Sequence, residues 1–154
     1  MLGYRIEKVI SGGQTGVDQL ALTVAQNLGI KTGGVAPKGY LTENGPAPWL
    51  AGFGLVEDSS SKYPPRTRRN VVESDATVIF GSPTNGTELT INCCTKAGVP
   101  YILNPTAPAL EAFIVNHGVQ ILNVAGNRKS KMTPDQEEKI RTILTLALQK
   151  LNHI

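Results

Sequence analysis

Ten consecutive residues constrain this chain more than any others: Val9-Ile10-Ser11-Gly12-Gly13-Gln14-Thr15-Gly16-Val17-Asp18. A β-branched pair ends a strand, three glycines turn the chain, and an amphipathic helix begins. Glycine permits positive φ and leaves no Cβ between the backbone and a ligand. A helix start carries unpaired N–H groups and the positive end of the helix dipole. Such a turn running into a helix reads as an anion site, most often for phosphate.

The remaining chain repeats the alternation. A short apolar strand is predicted over Lys8–Ser11, and a helix over about Gly16–Leu28 with its stripe at Val17, Leu20, Ala21, Val24, Ala25 and Leu28, closed by Gly29. A weak strand follows at Gly33–Ala36. The stretch Pro37–Pro65 is long and irregular, with Gly54–Glu57 as a possible short strand; Trp49, Tyr40 and Tyr63 lie in it and point to an ordered binding loop. A helix is expected from Pro65 to near Ser74, a strand at Ala76–Gly81, a helix at Thr87–Ala97 and a strand at Pro100–Leu103. Then come a helix at Pro108–His117, a strand at Gln120–Ala125, and a last helix capped by Thr133, with Pro134 at its first position and Gln136 completing a capping box. Strands alternating with helices give one α/β sandwich spanning residues 1–154, around a mainly parallel sheet of about five strands.

Composition narrows the class. A length of 154 residues suits one domain, and with 5% aromatics the core must be mostly Val, Ile, Leu and Ala. A net charge of +3 does not suggest nucleic-acid binding, and no apolar run is long enough for a membrane span. The first residues lack a signal-peptide core. The two cysteines, Cys93 and Cys94, are adjacent and have no other partner, which predicts a reduced, cytoplasmic protein.

In parallel sheets ligands bind beyond the carboxyl ends of the strands. Three glycine-bearing loops sit there: Ser11–Gly16, Ser82–Thr87 and Gly126–Ser130. The first is not a dinucleotide fingerprint, because Ser11 replaces the leading glycine and Ala36-Pro37-Lys38 stands where a ribose-binding acid belongs. It is not a Walker loop, because no Gly-Lys-Ser/Thr follows. In the second loop Asn85 and Gly86 lead to Thr87, placed to cap a helix and offer a hydroxyl to an anion, with Thr90 one turn on along the same face. Lys38 and Arg66 are candidate anion ligands, and Asn70 shares Arg66's face; Arg68 and Arg69 read as solvated surface. Asp18 suits the helix dipole or a ligand ring N–H equally. No spacing resembles a metal site or a catalytic triad.

The combination Ser-Gly-Gly-Gln-Thr-Gly-Val-Asp (11–18), Pro-Lys-Gly (37–39), Arg-Thr-x-x-Asn-Val (66–71), Ser-Asp-Ala-Thr (74–77) and Gly-Thr-x-x-Thr (86–90) resembles the molybdenum carrier family over residues 6–150. The resemblance implies a Rossmann-like three-layer fold related to the lysine-decarboxylase-like, or "lonely guy", proteins. It implies a homo-oligomer, usually a tetramer, that binds molybdenum cofactor (Mo-molybdopterin) as non-covalent cargo and protects it from oxidation. Molybdenum enzymes or cofactor-synthesis proteins are then the expected partners. The cofactor-binding residues would be Gly12, Gly13, Gln14, Thr15, Gly16, Asp18, Lys38, Arg66, Asn70, Asn85, Gly86, Thr87 and Thr90, none of them catalytic.

Two other classes share these loops. The lonely-guy phosphoribohydrolases carry P-G-G-x-G-T-x-x-E; aligned on Gly86-Thr87, this chain has Thr84 for the second glycine and Thr90 for the glutamate. Threonine cannot replace that carboxylate. Glu88 lies two residues from Thr90, and residues two apart do not share a helix face. A nucleotide-sensing module would differ from a carrier only in its ligand.

Overall fold

A computed structural model describes residues 5–82 and 85–154. The elements are β1 (Lys8–Ile10), α1 (Val17–Asn27), β2 (Lys31–Ala36), β3 (Leu41–Thr42), β4 (Gly45–Pro46), β5 (Leu55–Glu57), α2 (Tyr63–Val72), β6 (Ala76–Phe80), α3 (Asn85–Ala97), β7 (Tyr101–Leu103), α4 (Ala107–Asn116), β8 (Ile121–Gly126) and α5 (Pro134–Leu151). Six strands form one parallel sheet in the order β5-β2-β1-β8-β6-β7, so the sheet has one strand more than expected. The extra strand is β5, whose Leu55, Val56 and Glu57 pair with Gly34, Val35 and Ala36.

Strand alternation divides the layers. Val78 points into a core with Val9, Leu20, Val24, Leu110, Ile114, Leu122, Leu144 and Leu148, contributed by the sheet and by α1, α4 and α5. The neighbouring Thr77 faces the other way and meets Cys94 of α3. There α2 and α3 pack together through Val71, Cys93 and Cys94. Both cysteines are free and buried. The result is a three-layer Rossmann-like sandwich.

The stretch 37–62 is ordered by its own small core. Ala47, Leu50 and Leu55 join Ala36 and Leu22 of α1, with Tyr40 and Phe53 packed against them. A β3–β4 hairpin and a 3-10 turn at Pro48–Phe53 fill what looked irregular in sequence. Trp49 stays 54% exposed, its ring edge-on to Phe53.

Three asparagines act as backbone clamps. Asn70 accepts from the Val35 N–H (2.8 Å) and donates to its carbonyl (2.9 Å). Asn152 does the same to Ile6, and Asn104 to Gly81. Asp75, in the Ser74–Thr77 stretch, accepts from the Gln120 and Ile121 N–H groups and pins the entry of β8. Thr133 and Gln136 form the expected capping box on α5.

No helix among the described residues is long and apolar enough to cross a membrane.

Candidate functional site

The order of the sheet places the site. From β1 the chain moves to β2 through α1, whereas from β6 it moves the opposite way to β7 through α3, with β8 inserted between β1 and β6. The carboxyl ends of these three strands therefore open on a crevice, and the three glycine loops meet there.

The first loop closes on itself. Gly16 has φ 82°, and a Cβ on it would lie 2.4 Å from the Asn127 carbonyl oxygen, so only glycine fits between α1 and the loop after β8. The Val17 N–H donates to that carbonyl (3.1 Å) and the Gln19 N–H to the Gln14 carbonyl (3.1 Å). Asp18 turns back from the first turn of α1, and its carboxylate accepts from the Gln14 N–H (3.2 Å) and from the Gly12 N–H. Gln14 Oε1 accepts from the Thr15 N–H (3.0 Å). The donors that the sequence assigns to an outside anion thus already hold the chain's own Asp18 and Gln14.

Arg66 completes this arrangement. Its Nη1 lies 3.7 Å from Asp18 Oδ2, and its guanidinium carbon sits 5.3 Å from the centre of the Tyr63 ring. A Cβ on Gly12 would lie 2.1 Å from Arg66 Nη1, so Gly12 is small because the guanidinium packs over it. Arg66 is largely buried, and its Nε has no hydrogen-bond partner among the described residues. Burial pushes the Asp18 carboxyl up to about 6, against the Arg66 charge and the Gln14 and Gly12 N–H groups.

The second loop lies on the far side of β8. The sequence places Thr87 as a helix cap, but helix α3 begins at Asn85, so Thr87 sits inside its first turn. Thr87 and Thr90 are both buried, while Glu88 between them is exposed. The Thr90 hydroxyl donates to the Gly86 carbonyl (3.2 Å). A Cβ on Gly81 would lie 2.9 Å from both Thr87 Oγ1 and Asn127 Oδ1, so these two polar side chains flank the end of β6. Pro83, Thr84 and the Asn85 side chain lie outside the described residues.

Asn70 shares Arg66's inward face, and its amide bonds both the N–H and the carbonyl of Val35, holding β2 in place. Lys38 is exposed after β2. Arg69 is exposed, as expected from the sequence, and pairs with the buried Asp58 (3.1 Å) and with Glu73 (3.5 Å).

Sequence reasoning missed Glu43, Asn127 and Ser130. Asn127 and Ser130 belong to the third glycine-bearing loop, the signal that could have found them. Glu43 sits at the tip of the β3–β4 hairpin, with no signal in the sequence. Its carboxylate accepts from the hydroxyls of Thr15 and Ser130, from the Ser130 N–H (3.1 Å), and faces Arg128 Nε at 3.7 Å. Burial raises the Glu43 carboxyl, but the Ser130 and Thr15 hydrogen bonds and the Arg128 charge hold it below its ordinary range.

Beyond Gly81, on the α4–α5 side, a cavity of about 380 Å³ is lined by Phe80, Asn127, Met132, Lys139, Ile140 and Ile143, among others. Among the described residues no group of three or more His, Cys, Asp or Glu side chains is placed to hold a metal ion.

The pattern of the circularly permutated YpsA SLOG family matches residues 9–148. A crystal structure from Syntrophus aciditrophicus SB, of a protein described as a "Putative molybdenum carrier protein", is 32% identical, superposes with a TM-score of 0.81, and is aligned over 94% of this chain and 96% of its own. No curated protein matches the chain significantly. With a family pattern spanning nearly its whole length and a relative of this identity and coverage, the chain belongs to the circularly permutated YpsA family of SLOG proteins.

Proposed function

We propose that this protein carries molybdenum cofactor as non-covalent cargo and protects it from oxidation. The observation that carries the reading is the likeness, along nearly the full chain, to the Syntrophus protein described as a molybdenum carrier. The cofactor is a pterin with a phosphate at one end and dithiolene-bound oxo-molybdenum at the other, so both ends are anionic.

The residues suit such a cargo. Arg66 holds a buried guanidinium over Gly12 of the first loop, and its Nε has no partner among the described residues. Thr87 and Asn127 flank Gly81, and Lys38 supplies an exposed charge after β2. The cavity next to Gly81 combines the apolar Phe80, Met132, Ile140 and Ile143 with Lys139, as a flat ring with an anionic substituent requires. A charge-assisted hydrogen bond contributes about 1.5–3 kcal/mol. Three or four of them, with ring contacts, reach the roughly 8 kcal/mol of micromolar binding. The molybdenum travels as part of the cargo and needs no protein ligand in this scheme.

Hydrolysis of nucleoside monophosphates is the less favoured reading. Thr90 stands where a catalytic glutamate would be needed, its hydroxyl is turned to Gly86, and Glu88 is exposed. General acid–base assistance is typically worth about 10²–10⁴ in rate. We expect negligible release of base from AMP; clear hydrolysis that disappears in Glu88→Gln would replace the carrier reading with an enzyme.

A homotetramer in the cytoplasm, exchanging cargo with molybdenum enzymes or cofactor-synthesis proteins, completes the proposal. The direct test is mass spectrometry of small molecules released from freshly purified protein, together with the decay of added cofactor in air. Bound molybdopterin and slowed decay are expected. A bound nucleotide with no effect on decay would overturn the reading.

A further inference from the structure

We propose that the Glu43 carboxylate occupies a phosphate pocket of this protein, and that the β3–β4 hairpin is a lid which a phosphoryl group displaces. The proposal rests on the reading that this end of the sheet takes an anionic ligand, but not on which one.

The pocket is built from two separate loops at the carboxyl ends of the adjacent strands β1 and β8. From the first loop comes the Thr15 hydroxyl, and from the second come the Ser130 hydroxyl, the Ser130 N–H and the Arg128 guanidinium. The Lys129 N–H donates to Thr15 Oγ1 (3.1 Å) and so ties the two loops together. Hydroxyls, a backbone N–H and a guanidinium around one point form the donor set of an oxyanion site. What they surround is the carboxylate of a residue 28 positions from Thr15 and 87 from Ser130 along the chain.

Glu43 sits at the tip of a small hairpin whose base is anchored by Tyr40 and Ala47. β3 and β4 pair over only two residues each and belong to no larger sheet. The tip reaches the body through this carboxylate and through the Glu43 N–H, which donates to Gln14 Oε1 (2.9 Å). Gln14 and Thr15 belong to the glycine turn, so the lid closes directly over the loop that the sequence marks for a ligand. Asp18 also lies in that turn, but it is buried against Arg66 and bonded within its own helix turn. Glu43 is the carboxylate that a hinge of two short strands can withdraw.

A phosphoryl group carries more charge than a carboxylate and three acceptor oxygens, so it competes for the same donors. Removing Glu43 removes the competitor. Inorganic pyrophosphate is the probe, measured by isothermal titration on the full chain. Glu43→Ala is expected to bind it at least about ten-fold more tightly than wild type, since one lost charge-assisted contact corresponds to that factor. Adding Arg128→Ala and Ser130→Ala to Glu43→Ala should return affinity to the wild-type level.

A second measurement uses the wild-type protein alone. Hydrogen exchange at residues 41–46 should accelerate under saturating pyrophosphate. Equal affinity in wild type and a folded Glu43→Ala, or exchange in the hairpin unmoved by pyrophosphate, overturns the lid. Cofactor retention by wild type is scored in parallel. Retention with no gain in Glu43→Ala sinks the lid and leaves the carrier reading standing, whereas a gain without retention sinks the carrier reading and leaves the lid.

Discussion

Asp18 should make the stability of this protein fall as pH rises through the weakly acidic range. Its carboxyl is pushed from 3.8 to about 6 in the folded state, because burial outweighs the Arg66 charge at 3.7 Å and the N–H groups of Gln14 and Gly12. Between those two values the folded protein keeps a proton that the unfolded chain has released. Stability from this group is therefore complete below about 3.8 and lost as pH climbs through 6. A shift of about two units, at 1.36 kcal/mol per unit, amounts to about 3 kcal/mol. For a domain of this size that corresponds to about 6–12 °C in Tm. Asp18→Asn cannot titrate. Its amide also fits the Gly12–Gln14 turn less well, a cost that does not vary with pH. Urea unfolding of both proteins from pH 3 to 7.5 separates the two effects. The variant's stability relative to wild type should improve by about 3 kcal/mol across that window, whatever the constant offset. Parallel stability curves would refute the account of Asp18 as a carboxyl held against its desolvation cost.

Asn70→Leu leaves the buried Val35 N–H and carbonyl without partners and should cost about 2–6 kcal/mol in urea unfolding, at about 1–3 kcal/mol per orphaned group; a loss below 1 kcal/mol would mean that β2 does not need the clamp. Gly16→Val forces a branched side chain at φ 82° onto the Asn127 carbonyl and should cost more than the roughly 1–3 kcal/mol of backbone strain alone, read as a lowered Tm. Arg66→Ala should weaken cofactor retention by about ten- to hundred-fold, and Asp18→Asn/Arg66→Ala should retain cofactor equally poorly if the guanidinium itself holds the cargo. Multi-angle light scattering should give about four times the 16.4 kDa chain mass; a monomer at micromolar concentration would remove the tetramer from the proposal.

Local signals alone determined the layered architecture. The apolar stripe of α1, the Thr133–Gln136 box and the run Ala76–Phe80 each depend on neighbours within a few residues, and each forms as read. The glycine turn was legible for the same reason, since positive φ at Gly13 and Gly16 is a property of the residue type. The sixth strand was only half legible: residues 54–57 read as a short strand, but three residues, Leu55–Glu57, join the sheet only when β2 offers an edge. Nor could sequence decide what the turn's N–H groups bind. That depended on Asp18 folding back under a guanidinium 48 residues away, and on a hairpin tip reaching Ser130 across 87 residues. Residue type tells which groups can donate and accept, whereas the tertiary fold decides which of them meet, because hydrogen bonds and charge pairs act only at contact distance, whatever the separation along the chain.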